Sequence, residues 1–178
     1  MTDNRKTFRL ADGGDVAAIT EIYEKTHELE QKGLSFTGWK KDVYPTEETA
    51  RNAILKGHMY VLEYDGKIIA SARINDVQEK EYAEINWKYK AEPQNVLVIH
   101  TLVVDPDFKG NGAGKAFVDF YTDEAKRRGC TVLRLDTNEI NAPARAFYKK
   151  LGFIESGMIP TVFNGISGVN LVCLEKSL

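Results

Sequence analysis

Val104-Asp105-Pro106-Asp107-Phe108-Lys109-Gly110-Asn111-Gly112-Ala113-Gly114-Lys115 is the stretch on which the reading of this chain turns. An apolar, β-rich run from Val96 to Val104 precedes it, and Asp105-Pro106 ends that strand. A helical pattern follows, with Ala113, Ala116, Phe117, Phe120 and Tyr121 on one face. Arg127 and Arg128 fall in its last turn and Gly129 stops it. Glycines let a backbone approach a ligand closely. The unpaired N–H groups of the first helical turn, together with the helix dipole, then form an anion site suited to a pyrophosphate. A P-loop would need Ser or Thr after Gly114-Lys115 and a glycine at position 109; the chain has Ala116 and Lys109. A dinucleotide-binding turn would need a third glycine where Lys115 stands.

Outward from this turn, Thr131 to Asp136 reads as the next strand, so Val96 to Asp136 forms one parallel crossover. Asn141, a preferred N-cap residue, starts a helix whose Ala144, Phe147, Tyr148 and Leu151 make one stripe before Gly152. Upstream, Lys6 to Leu10 is a short strand. A helix through Ile19, Ile22 and Tyr23 follows, running to about Thr26 or a little beyond. A second helix begins at Thr46. Met59–Tyr64 and Lys67–Asn75 flank Asp65-Gly66, a strong hairpin signal. Two last strands lie near Phe153–Met158 and Val169–Leu174. The order β-α-α-β-β-β-α-β-α-β-β predicts an α+β fold with a mixed, mostly antiparallel sheet of about six or seven strands and about four helices. With 178 residues and no linker or repeat, one domain over 1–178 is expected.

The bulk numbers exclude several classes. A net charge of −2 gives no basic excess, so no nucleic-acid partner is expected. The apolar runs are too short for a membrane span, and Met1 to Lys6 carries no signal core; a cytoplasmic location is the default. Cys130 and Cys173 lack metal-ligand spacing and read as buried free thiols, so no metal is expected.

The block Asn141-Ala-Pro-Ala144-Arg-Ala-Phe147-Tyr148-Lys-Lys-Leu151-Gly152-Phe153 adds a second motif. With Leu102-Val103-Val104-Asp105-Pro106 and Lys109-Gly110-Asn111-Gly112-Ala113-Gly114, it resembles the two signatures of the GCN5-related N-acetyltransferase (GNAT) superfamily. Lys109 stands where that family usually has Gln or Arg, keeping the charge without the planar fork. The resemblance implies a fold with a splayed central strand pair and acetyl-coenzyme A as cofactor. It places the pyrophosphate on the N–H groups of Lys109 to Lys115 and the pantetheine arm beside Leu102, Val103 and Val104. Asn141, Ala144, Phe147 and Tyr148 complete the cofactor site. The implied reaction is transfer of the acetyl group to a primary amine of a small molecule or peptide, by direct attack through a tetrahedral intermediate. A non-catalytic acyl-coenzyme A sensor on the same fold is the alternative. A homodimer is compatible with the resemblance, since that family often pairs through its last strands.

The resemblance assigns Tyr148 as the acid that protonates the leaving thiolate. A free phenol at pKa ~10 giving its proton to a thiol of ~8.5 runs uphill by only about 2 kcal/mol. A lysine-type amine needs roughly 4.6 kcal/mol for deprotonation at pH 7, an α-amino group about 1.4 kcal/mol, so the acceptor decides how much help a base must give. His100, on the central strand, is the first candidate for that base; Glu84 and Asp136 are rivals. Two connections are long: Glu28 to Pro45, with Phe36, Trp39 and Tyr44, and Asp76 to Asn95, with Tyr82, Trp87 and Tyr89. Such aromatic-rich loops often shape ligand pockets.

Overall fold

In the computed structural model residues 5–178 are described; the first four residues of the stretch read for a signal core lie outside them. The elements are β1 (Lys6–Leu10), α1 (Val16–Gln31), α2 (Glu47–Leu55), β2 (Met59–Tyr64), β3 (Lys67–Asn75) and β4 (Val96–Val104). They are followed by α3 (Ala113–Arg127), β5 (Val132–Asn138), α4 (Ala142–Lys150), β6 (Ile154–Phe163) and β7 (Ile166–Ser177). The seven strands form one sheet in the order β1-β2-β3-β4-β5-β7-β6. All pairings are antiparallel except β4–β5. This is the α+β architecture expected, including its single parallel crossover.

Strand alternation divides the core between the two faces of the sheet. On one face Ile19, Ile22 and Tyr23 of α1 and Ala50 and Ala53 of α2 pack on Met59, Val61 and Ile68. On the other, Phe117, Tyr121 and Ala125 of α3 and Tyr148 of α4 pack among Leu62, Leu97, Leu133 and Leu174. Burying a large apolar side chain is worth roughly 1.5–3 kcal/mol, so each helix is held chiefly by its stripe.

Two elements are longer than the sequence reading had them. Helix α1 continues to Gln31, because nothing between Thr26 and Gln31 breaks a helix. It stops where Gly33 takes φ 69° and the Leu34 N–H bonds back to the Leu29 carbonyl at 2.8 Å. The last hairpin also extends, closing at Asn164-Gly165 with φ 48° and 84°. Two positive φ values make the tight primed turn that Asn-Gly favours, and Asp65-Gly66 repeats it with 49° and 78°.

The parallel pair positions the site. Strands β4 and β5 are bonded only from Val96–Val98 to Val132–Arg134. Beyond that point they part. The Tyr121 hydroxyl sits at the parting and reaches the carbonyls of Leu97 (2.5 Å) and Arg134 (3.0 Å), bridging the two strands. Cys130 and Cys173 are free and buried. Among the described residues no helix is long and apolar enough to cross a membrane, and no group of three or more His, Cys, Asp or Glu could hold a metal.

Candidate active site

Two connected cavities occupy the parting of the strands. The larger, about 570 Å³, runs along Leu102 to Val104 of β4 and on to the amino end of α3. The smaller, about 100 Å³, lies between the separated ends of β4 and β5. Thr37, Trp39, Leu102, Asn141, Ala144 and Tyr148 line both, so they mark the junction.

All the residues expected at the cofactor except Asn111 line the larger cavity. Asn111 is exposed, and its N–H is turned back to the Phe108 carbonyl at 3.4 Å. Gly112 caps α3 from the left-handed region at φ 73°, where a side chain would be strained. The first backbone bond of α3 runs from Ala116 N to Gly112 O at 2.9 Å. The N–H groups of Ala113, Gly114 and Lys115 therefore lack intrahelical acceptors and face the cavity end. Exposed Lys109 and Lys115 stand beside them, so this end of the cavity gathers N–H donors and positive side chains, where the sequence reading expected an anion site. Buried Asp105 sets the entry to this turn: it accepts from Asp107 N at 3.0 Å and from Lys25 Nζ at 3.2 Å. The Lys25 ammonium and the Asp107 N–H outweigh the effect of burial and hold its carboxyl below the usual range.

A bulge in β4 shapes the junction. The β3–β4 register shifts between Ser71 and Arg73, and Thr101 opposite takes φ 53°. The kink puts both Thr101 and Leu102 on the smaller cavity. The Thr101 hydroxyl hydrogen-bonds the Tyr44 hydroxyl, which reaches over from the Glu28–Pro45 connection. That connection is ordered by Glu30, whose carboxylate accepts from Thr37 N (3.0 Å), Thr37 Oγ1 (2.8 Å) and Gly38 N (2.8 Å). Trp39 and Phe163 pack edge-on against the Tyr44 ring.

Asn141 serves two ends: its Oδ1 accepts from Ala144 N at 3.2 Å, capping α4, and the residue lines both cavities. Tyr148 stands at the junction, packed on Phe147 and Phe153. Burial first, and then the Asp136 carboxylate, push its phenol above the ordinary value. Tyr148 therefore keeps its proton at neutral pH and is a weaker acid than a free phenol.

Two candidate bases are not brought to the cavities. His100 is buried, with Nε2 3.0 Å from Asn75 Oδ1 and Nδ1 3.3 Å from Glu79 Oε1. Burial lowers its pKa, and the Glu79 bond opposes that fall; it lines neither cavity. Glu84 ends a short 3₁₀ turn, exposed to solvent and away from both. The carboxylate that the fold delivers is Asp136, near the end of β5, where it lines the smaller cavity. The Tyr82 hydroxyl donates to its Oδ2 at 2.7 Å. Burial pushes its pKa up to about 6; the Tyr82 bond opposes that rise and the Glu79 charge adds to it. The sequence carried one signal for this position: Asp136 stands at the carboxyl end of a parallel strand, where open sheets bind ligands. Tyr44 and Tyr82 stand out in the sequence only as aromatics of two long connections, and Thr101 carries no signal, since tertiary folding alone brings all three in.

A sheet divided between two parallel strands, with an open helix start at one end of the gap, is the plan that the two sequence signatures implied; the carboxylate at the other end, Asp136, is one they did not single out. The chain belongs to the acetyltransferase (GNAT) family, whose model matches residues 16–153. It is 38% identical over 159 residues to an uncharacterized N-acetyltransferase of Methanocaldococcus jannaschii, covering 86% of this chain and 62% of that protein. The chain thus spans less than two thirds of that relative's length. Its fold matches a GNAT-family acetyltransferase of Streptococcus agalactiae with TM-score 0.82 and 25% identity, over 97% of this chain and 95% of that one. It also matches an acetyltransferase of Salmonella typhimurium solved with its cofactor acetyl-CoA, with TM-score 0.67 and 24% identity over 98% and 95% of the two chains.

Proposed function

We propose that this chain is an N-acetyltransferase that moves the acetyl group of acetyl-coenzyme A to a primary amine. The observation that carries the reading is the junction at Tyr148, where a long cleft with an anion site at its far end opens into a small cavity that ends on Asp136. The larger cavity fits the cofactor: free N–H groups and two lysines suit phosphates, and the unpaired edge of β4 at Leu102 to Val104 suits an amide-bearing arm. The bound cofactor supplies an activated acyl carbon. The protein supplies the rest. Asp136, with a pKa of about 6, is ionised at neutral pH and takes one proton from the bound ammonium, freeing the lone pair that bonds to the acyl carbon; the second proton the nitrogen sheds replaces, through solvent, the one Tyr148 gives up. Backbone N–H groups of β4 beside the bulge at Thr101 stabilise the developing oxyanion. Tyr148 hydrogen-bonds the departing sulfur and gives it a proton as the carbon–sulfur bond breaks. Because burial makes its phenol a poorer acid, the transfer is late and the hydrogen bond does much of the stabilising.

The test combines calorimetric titration of acetyl-coenzyme A with thiol release over a panel of amines, including polyamines, amino acids, aminoglycosides and short peptides. Binding with turnover of one acceptor class is expected. Absence of binding refutes the reading outright, and binding without turnover of any amine favours the acyl-coenzyme A sensor instead.

A further inference from the structure

The two cavities differ in the charges that line them. Lys109 and Lys115 stand at the far end of the larger one. The smaller one is lined by no lysine, arginine or histidine; its one ionisable carboxyl is Asp136. The charges behind Asp136 lean the same way. Glu79 and Glu81 raise its pKa and Arg73 lowers it. Arg73 is bonded to Glu79 at 3.3 Å, and Glu81 accepts from Thr161 Oγ1 at 2.5 Å. The rest of the wall joins an aromatic and aliphatic side, made by Trp39, Tyr44, Phe163, Ile166, Val169 and Leu171, to uncharged polar residues such as Thr137 and Asn138. About 100 Å³ is several waters' worth of room, since roughly 10–15 Å³ admits one.

Resting on the acetyltransferase reading, we propose that the acceptor is a small primary amine with a short apolar body and no carboxylate or phosphate near its nitrogen, bound as a cation against Asp136 and the surrounding aromatic rings. An ammonium entering this cavity meets an opposite charge and aromatic faces that attract cations. The α-carboxylate of a free amino acid would be carried in beside Asp136. No lysine, arginine or histidine lines the cavity to pair with it there, and a buried, unpaired anion is strongly disfavoured. An amide in the same place loses that charge. Peptide-like or amidated acceptors therefore remain in the class, whereas free amino acids and phosphorylated amines fall outside it.

The experiment compares three acceptors that share one side chain: isoamylamine, leucinamide and leucine. Thiol release is measured with saturating acetyl-coenzyme A, and kcat/KM is expressed per concentration of the ammonium form, the form proposed to bind. Isoamylamine and leucinamide are expected to exceed leucine by at least about tenfold, the scale on which like charges are discriminated at contacts. Calorimetry of isoamylammonium and leucine on the coenzyme A complex provides a second readout that does not depend on turnover, and only the first is expected to bind. Leucine used or bound as well as isoamylamine overturns the proposal while leaving the transferase reading intact. Failure of both to bind the complex also overturns it. Failure of acetyl-coenzyme A itself to bind is the separate failure of the transferase reading.

Discussion

Asp136 and Tyr148 line the same small cavity, and the Asp136 charge helps hold the Tyr148 proton. Asp136 holds a raised pKa of about 6 because burial disfavours its charge. As a base it works only when ionised, so kcat/KM should climb as pH rises through about 6. Asp136→Asn should lower turnover by ~10²–10³-fold, remove that limb from the pH–rate profile and leave acetyl-coenzyme A binding unchanged. The same raised pKa has a stability consequence of fixed sign. A folded pKa above the unfolded value favours the protonated native state; that stabilisation is complete below about pH 4 and is lost as pH rises through 6. At pH 7 the ionised carboxylate therefore costs the fold, and Asp136→Asn should gain about 1–3 kcal/mol in denaturant unfolding at that pH. The gain should shrink toward zero near pH 4. Tyr148→Phe removes only the hydroxyl from a ring packed on Phe147 and Phe153. Turnover should fall at least about tenfold with the calorimetric affinity for acetyl-coenzyme A kept; unchanged turnover would remove Tyr148 from the chemistry. Tyr148 could be read from its motif, but Asp136 ranked below His100. A sequence shows that a residue lies on a strand, not whether its neighbours already occupy it. Asn75 and Glu79 occupy His100, and both come from other segments.

At the scale of elements, legibility followed locality. The glycine turn, the cap at Asn141 and the Asp65-Gly66 hairpin are fixed by residues a few positions apart, and each stands where the pattern put it. Asn164-Gly165 was an equally local signal that the strand reading stopped short of, so both last strands came out short. The Glu28–Pro45 connection was different: its aromatics were visible, its shape was not. Its form depends on Glu30, at the end of α1, folding back over Thr37 and Gly38 through three bonds of 2.8–3.0 Å. This fold-back puts Thr37 and Trp39 at the junction of the two cavities. Glu30→Ala should cost about 1–3 kcal/mol, as three donors lose a charged acceptor. More specifically, KM for the amine should rise several-fold while acetyl-coenzyme A affinity, set mainly by the α3 end, changes little. Faster tryptic cleavage at Lys40 and Lys41 would report the loosened loop, and an unaltered cleavage rate would mean that Trp39 and Tyr44 hold it without Glu30.

Across the whole molecule, the strand order was the part least open to sequence reading. Strand β7 lies between β5 and β6, so the last strand in the chain enters the sheet ahead of the one before it. No local pattern encodes that; β7 takes the edge of β5 that faces away from β4, along the whole strand from Val132 to Asn138. The same arrangement gives the Asp76–Asn95 segment its place. Glu175 of β7 is fully buried, and accepts from Lys88 N at 2.6 Å, Tyr89 N at 3.2 Å and Ser156 Oγ at 2.5 Å. Arg134 of β5 adds a bond to the Tyr89 carbonyl at 3.2 Å and stacks over Trp87 at 4.0 Å. The segment so tied carries Tyr82, which packs edge-on against Trp87 and donates to Asp136. One buried carboxylate far from the reacting atoms thus holds the strap that positions the proposed base. Glu175→Ala leaves three donors without an acceptor and should cost about 2–4 kcal/mol, or roughly 5–15 °C in Tm for a chain of this size. A purely structural loss would stop there. If the strap also sets the base, loosening Tyr82 removes a bond that favours the ionised carboxylate, and the acidic limb of the pH–rate profile should move upward from about 6. Tyr82→Phe, which deletes that bond and leaves Glu175 and its partners in place, should move the limb in the same direction with a smaller fall in Tm. A limb that stays put in both variants would show that burial alone, and not the strap, governs Asp136.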